Sequence, residues 1–182
     1  ARLHNIHNSI TKFDGQIIKK GEEFSFNDIL QNAGPSNGFV LSKVIIQGMT
    51  KYGWGGGICQ LSTTLFRSIY NAGLPISERR NHTFQVPYYS PQGFDATIYL
   101  GGQDFKFINT TPGDVMVQIV TQGEDLAVLL YGTRDRQTEV AGTFKNGMAY
   151  TWKRTITKDG EVEEETLASY YRAEVKPVAV AE

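Results

Sequence analysis

The chain has 182 residues, a formal net charge of −1, 40% apolar residues and 12% aromatic ones. This suits one domain, or one domain with a small appendage, with side chains enough for a substantial core. The near-neutral charge gives no electrostatic case for nucleic acid or for membrane contact by this domain itself, and no apolar run reaches membrane-spanning length.

A single cysteine excludes an internal disulfide. The chain opens on Ala1 in a helical pattern, as expected of a domain taken from a longer protein. Leu3, Ile6, Ile10 and Phe13 recur at helical spacing, and Asp14-Gly15 closes a helix over 2–13. His4 and His7 lie three apart on it, but no Cys, Asp or Glu within the helix completes a set of metal ligands. Residues 15–27 read as short strands about a Lys-Gly turn, with Ile17, Ile18, Phe24 and Phe26 as core candidates. Asn27 or Asp28 is placed to cap a brief helical turn. Residues 34–38 form a loop by their turn chemistry, and residues 40–47 a strand rich in β-branched side chains. Tyr52 and Trp54 then serve either as walls of a substrate groove or as core aromatics with a wet edge.

The run Gly55-Gly56-Gly57-Ile58-Cys59-Gln60-Leu61-Ser62-Thr63-Thr64-Leu65 follows. From Ile58 the apolar residues Leu61, Leu65, Ile69 and Ala72 recur at helical spacing, and Gly73 and Pro75 supply a stop. Cys59 is thus expected in the first turn of a helix, sharing its flank with Thr63, Phe66 and Tyr70. Unpaired N–H groups and the helix dipole bias a thiol there toward thiolate. The bland alternative is a small buried thiol that fills a gap.

Beyond this helix, residues 76–84 suggest a strand end and a polar corner carrying Arg79, Arg80, Asn81 and His82. Strand patterns follow over 96–100, 104–109, 115–120, 126–133, 139–144, 148–157 and 166–175, with a hairpin signal at Asn146-Gly147 and a loose tail from 176. The fold expected is α+β, with early helices, including the Cys-bearing one, packed on a mainly antiparallel sheet and a strand-rich C-terminal half. Residues 1–133 read as a catalytic domain and 134–182 as a β-rich extension packed on it.

Thiol chemistry needs a base and an oxyanion site. Two of the three histidines lie in the first helix, which leaves His82 as the base. Asp95 and Asp104 are candidate orienting carboxylates, or else carboxylates that end turns in solvent.

These residues fall into a familiar order. Gly21-Glu22-Glu23-Phe24-Ser25-Phe26-Asn27 resembles the opening motif of the VanW domain family, and the Gly55–Leu65 run resembles its central motif. Glu78-Arg79-Arg80-Asn81-His82-Thr83, Gly93-Phe94-Asp95-Ala96-Thr97 and Asp104-Phe105-Lys106-Phe107-Ile108-Asn109 resemble the rest in sequence, so that the likeness covers roughly residues 5–131. Members of the family are mostly extracellular domains of Gram-positive bacteria, and some act as L,D-transpeptidases through the cysteine that corresponds to Cys59. The resemblance implies peptidoglycan stem peptides as partners and a secreted or membrane-anchored parent chain that faces the cell wall. Arg80 stands where the family often has a second histidine, which leaves His82 as the sole matching base.

The reaction expected is acyl transfer between stems, with Cys59 as nucleophile, His82 as base, Asp95 as third member and backbone N–H groups of residues 57–60 around the oxyanion. Trp54, Gly57, Gln60, Arg80 and Asp104 are the expected substrate contacts, and Tyr52, Trp54, Phe66 and Tyr70 an aromatic shield. Asp95 or Asp104 is expected to hold a cationic acceptor amine. The chemistry requires no metal or organic cofactor. A cysteine amidase or peptidase, or a non-catalytic wall-binding domain, would use the same fold.

Overall fold

The computed structural model describes residues 1–46, 49–145 and 147–173. Helix α1 (Arg2–Phe13) turns Ile6 and Phe13 inward along with the polar Asn5 and Ser9. Asn5 earns its buried place through three bonds. Its amide donates to the carbonyls of Val40 and Gly56 at 3.0 and 3.2 Å and accepts from the Val40 N–H at 2.9 Å. A buried polar side chain so satisfied costs little, and here it ties the first helix to the glycine run.

Strands β1 (Ile17–Ile18) and β2 (Glu23–Ser25) are short. Helix α2 (Phe26–Leu30) is capped by Ser25, whose hydroxyl accepts from the Asp28 N–H, not by Asn27 or Asp28 as expected. Ser25, two residues before Asn27, fits because Phe26 must already be helical to point into the core. A 3₁₀ turn at Pro35–Asn37 leads into the hairpin of β3 (Leu41–Ile46) and β4 (Met49–Trp54). Gln47, at the end of the expected strand, lies outside the described residues, as do Asn146 and the tail from 174.

Helix α3 (Ile58–Asn71) buries Ile58, Leu61, Leu65, Phe66, Ile69 and Tyr70. It ends as its sequence foretold. Gly73 (φ +72°) donates to the Tyr70 carbonyl at 3.1 Å and Leu74 to that of Ile69 at 3.3 Å, the paired bonds of a Schellman cap with Leu74 buried beneath. Next come β5 (Ile76–Glu78), β6 (Lys106–Ile108), β7 (Val115–Gln122) and β8 (Asp125–Tyr131). The last three strands are β9 (Gln137–Lys145), β10 (Ala149–Lys158) and β11 (Glu161–Tyr170). The sheets are ordered β1-β7-β8, β2-β6-β5 and β11-β10-β9, with antiparallel pairing throughout. The fold is α+β.

The strand expected over 96–100 does not form. Only Thr97 pairs, in a single bridge to Arg80. The neighbouring Ala96 gives its backbone groups to side chains of α3, as described below, so no ladder can extend there. The last strand also runs earlier than its pattern suggested, from Glu161 to Tyr170, because Lys158-Asp159-Gly160 turns directly into it.

An aromatic core joins the layers. Phe13 stacks on Phe26, Phe24 on Phe107, and Phe66 meets Phe94 and Phe105 edge-on. Phe94 in turn stacks on Trp152 of β10 with ring centroids 4.6 Å apart. Arg154, also on β10, is 1% exposed. Its guanidinium donates to the carbonyls of Tyr70 and Leu74 at 3.1 and 3.0 Å, lies over the Tyr70 ring and pairs with Glu165. It thereby adds a charged donor to the Tyr70 carbonyl, which Gly73 also serves, and satisfies the buried Leu74 carbonyl just past the helix. Removing one member of such a buried network leaves the other groups desolvated and unpaired. Arg154→Ala is therefore expected to destabilise the fold by about 3 kcal/mol, read as a fall in the denaturant midpoint. No helix among the described residues is long and apolar enough to cross a membrane.

Candidate active site

The site is built where the hairpin β3–β4 hands the chain to α3. Gly56 packs so tightly that a Cβ would lie 2.4 Å from the Lys43 carbonyl oxygen. Gly57, the N-cap, has φ +110°, a conformation that side chains oppose. Together they bring the backbone sharply round, so that Cys59 emerges in the first turn of α3. The Ile58 N–H donates to the Gly55 carbonyl and the Gln60 N–H to that of Gly57. The Cys59 N–H has no such acceptor among the described residues. Of the expected oxyanion donors, it and the Gly57 N–H are the ones left without an acceptor among the described residues.

Polar residues on the same helix then fix what faces the thiol. The hydroxyls of Ser62 and Thr63 donate to the Ala96 carbonyl at 2.7 and 3.2 Å, and the Ala96 N–H donates back to Thr63. This clamp sets Asp95 and Thr97 beside Cys59. The thiol sulfur lies 3.8 Å from the Thr97 hydroxyl and 3.9 Å from the Ile98 carbonyl, and is partly exposed.

His82 arrives from the corner after β5. Its backbone N–H donates to Asp95 Oδ2 at 2.9 Å, and its Nδ1 lies 2.5 Å from the same oxygen. The imidazole also faces Cys59 closely enough that each shifts the other's titration, so one ring is coupled to both carboxylate and thiol. Asn81 steadies the turn by donating to the carbonyls of His82 and Tyr170. Tyr89 lies against the imidazole with ring centroids 5.2 Å apart.

The electrostatics follow from this geometry. Burial alone would push the His82 imidazole down, but its bonds to Asp95 and Cys59 outweigh that and raise it to about 9. Burial would likewise push the thiol up. The hydrogen bond and positive charge of His82 prevail, helped by the Thr97 hydroxyl, and hold Cys59 below the ordinary thiol range. Burial would raise Asp95 too, yet the His82 bonds and the Tyr171 hydroxyl keep it below the usual carboxylate range. These shifts favour a thiolate–imidazolium pair backed by a carboxylate.

A model of the family described as VanW-like proteins matches residues 1–131. The chain belongs to the VanW-like family. It is similar to the uncharacterized protein YoaR of Bacillus subtilis (strain 168), with 37% identity over 73% of this chain and 44% of that one. It is also similar to the vancomycin B-type resistance protein VanW of Enterococcus faecalis (strain ATCC 700802 / V583), with 29% identity over 80% of this chain and 54% of the relative. The chain thus spans about half the length of these relatives. No solved structure matches it significantly.

Within this VanW domain the other expected site residues part company. Gln60 lies at the mouth of the site, accepting from Arg2 at 2.6 Å and donating to the Glu124 carbonyl at 3.0 Å. Trp54, at the end of β4, and Arg80 are exposed near the chain's approach to the site, and the Arg80 carbonyl accepts from Thr97. Asp104 is elsewhere: it is buried at the start of α2, where its carboxylate accepts from the Ser25 hydroxyl and the N–H groups of Asn27 and Phe105. Neither it nor Asp95, whose oxygens are both engaged, is open to an acceptor amine. Phe66 and Tyr70 are core residues rather than a shield, because the helix turns their flank onto Phe94. Tyr52 is 75% exposed.

Two contributors, Arg67 and Tyr171, went unnoticed in the sequence, and Arg79 was placed there only in a polar corner with His82. Arg79 donates to the Asp95 carbonyl at 2.7 Å, and its guanidinium lies 3.7 Å from Asp95 Oδ1 over the Phe66 ring. Arg67 holds the 89–94 loop through the carbonyls of Tyr89, Ser90 and Phe94. Tyr171 donates its hydroxyl to Asp95 Oδ1. The arginine pair after β5 was a usable signal for Arg79, whereas nothing local marks Tyr171. A cleft of ≈ 400 Å³ at the other end of α3, lined by Asn71, Leu130, Arg136 and Thr138, holds no member of this cluster. Reactive groups, not concavity, mark the site.

Proposed function

We propose that this domain is a cysteine acyltransferase of the cell wall, an L,D-transpeptidase acting on peptidoglycan stems. The observation that carries the reading is the grouping Asp95–His82–Cys59, in which one imidazole is bonded to a carboxylate and electrostatically coupled to a thiol. Nucleophile, base and orienting group stand in the order that covalent acyl transfer needs. The relative named for vancomycin resistance supports a cell-wall setting, extracellular as the family resemblance implies.

In the proposed reaction the Cys59 thiolate attacks the carbonyl carbon of the third stem residue, a diamino acid. The C–S bond forms as the oxygen takes negative charge beside the Cys59 N–H. His82, already protonated, gives its proton to the leaving nitrogen as the C–N bond breaks, and D-alanine departs. The neutral imidazole then takes a proton from the side-chain amine of a second stem as that amine attacks the thioester. The new amide forms, the C–S bond breaks, and the thiolate–imidazolium pair is restored.

Arg2 is suited to the free carboxylate at the end of the donor stem. It is held at the start of α3 by Gln60, lies over the Tyr88 ring, and has no acidic partner among the described residues. Arg2→Ala is expected to raise KM about tenfold for stems ending in a carboxylate and to leave stems ending in an amide unchanged.

Hydrolysis of the same thioester is the second reading. The exposed Tyr52 and the buried Phe66 and Tyr70 provide less exclusion of water than the sequence led one to expect. Incubation of the domain with tetrapeptide stems, followed by mass spectrometry, tests both. Transfer gives an acyl adduct on Cys59, free D-alanine and dimers joined between two diamino acids. Tripeptide without dimers at saturating stem would make the domain a hydrolase, and no adduct or product at all would leave it without this chemistry.

A further inference from the structure

Asp95 is held by groups from two separate parts of the chain. From within the family-matched span come the two bonds of His82 to Oδ2 and the Arg79 guanidinium near Oδ1. The remaining donor, the hydroxyl of Tyr171, lies just past β11 and forty residues beyond the end of that span. That hydroxyl is itself fixed, because it accepts from the Gly93 N–H at 2.9 Å. Ser169 reinforces the same junction, buried between the Arg79 guanidinium (2.8 Å) and the Gly93 carbonyl (2.8 Å). Two more bonds run alongside, from the Asn81 side-chain amide to the Tyr170 carbonyl and from the Arg172 N–H to the Thr83 carbonyl.

We infer that the C-terminal extension completes the site, and that Tyr171 is a positioning residue that orients Asp95 toward His82. The inference rests on the reading of Cys59, His82 and Asp95 as one reactive unit. The physical reason is geometric. Asp95 Oδ2 must serve two donors of one residue at once, which fixes the rotation of the carboxylate. Oδ1 then needs its own donor in a buried place, and Arg79 at 3.7 Å is beyond a good hydrogen bond. The Tyr171 hydroxyl fills that role.

Other charged or titratable groups that face Asp95 are Arg79 and, farther off, Arg67 and Tyr89. None of them supplies a second hydrogen bond to Oδ1 among the described residues. Losing the hydroxyl should therefore raise the proton affinity of Asp95. The carboxylate then becomes neutral at a higher pH, the imidazolium loses its support, and the thiolate is lost with it.

The test is the pH profile of Cys59 alkylation by iodoacetamide, which needs no substrate. Tyr171→Phe keeps the ring packed against Tyr150 and removes only the hydroxyl. Its acid limb is expected to move up by about one pH unit, since a hydrogen bond to a charged group is worth about that much. Tyr170→Phe, at an exposed neighbour, should leave the profile in place. In the unaltered protein, labelled at the tyrosine ring carbons, the Tyr171 resonance should titrate together with the acid limb, and this decides the matter even if the variant fails to fold. A Tyr171→Phe profile that coincides with the parent, or a Tyr171 resonance indifferent to that limb, overturns the inference. If His82→Ala also leaves the profile unchanged, the underlying reactive unit fails instead.

Discussion

Cys59→Ala should abolish both the acyl adduct and every product that follows from it. Loss of a nucleophile in a comparable serine enzyme costs about 10⁶-fold, and no second thiol exists here to substitute. Cys59→Ser is the more searching variant, because it keeps a nucleophilic atom in place. In the resting pair His82 is raised to about 9 and thus already protonated at neutral pH, so it is a poor base toward a neutral hydroxyl. The machinery suits a group that surrenders its own proton readily, as a thiol held below its ordinary range does. Serine should therefore be nearly as inactive as alanine. Single-turnover assays by intact mass would check both, and a serine variant with substantial turnover would show that His82 acts as an ordinary base.

Asp95→Asn should have the next largest effect. Asparagine is nearly the same shape but carries no charge, and its amide offers one acceptor where the carboxylate offers two. Oδ2 serves both His82 donors and Oδ1 serves Tyr171 and Arg79, so one side must lose its acceptor. Without the negative charge the imidazolium loses its stabilisation. His82 then falls back toward its ordinary value of 6.5, and Cys59 rises toward 9.0. The signs can be followed through pH. In the parent, the raised imidazole keeps its proton until pH passes about 9, and the lowered thiol keeps its negative charge down to a pH below its ordinary value. The reactive pair exists between those limits. In the variant both limits move inward and the window closes. Turnover should fall by about 10³–10⁴, and alkylation near neutral pH should slow in parallel. An alkylation profile that matches the parent's would remove Asp95 from its role.

Much of this was legible because the relevant signals are local. Helical spacing after three glycines placed Cys59 in the first turn of α3, and the small residue Gly73 marked its end. His82 and Asp95 were legible as members of an ordered set of motifs, although their distance in space was not. What escaped depended on tertiary pairing. The segment 96–100 has a strand's composition, yet α3 takes the backbone bonds of Ala96 through Ser62 and Thr63, whose hydroxyls look in sequence like ordinary solvent-facing groups. Phe66 and Tyr70 sit on the thiol's flank by helical geometry, but that flank is covered by Phe94, so they pack instead of shielding. Asp104 and Asp95 stand in similar local settings after glycine. Only the partners that the fold brings, Ser25 for one and His82 for the other, give them different work.

The stack of Phe94 on Trp152 and the plug that Arg154 makes in the end of α3 bear on how such a domain travels between proteins. Recombination that copied only the span matched by the family model, residues 1–131, would carry the cysteine, the histidine and the aspartate, and would stop short of both side chains. The recipient would inherit the Tyr70 and Leu74 carbonyls without their guanidinium and an aromatic face open to water, and would have to supply substitutes. The heritable piece of this protein is therefore longer than the recognisable one.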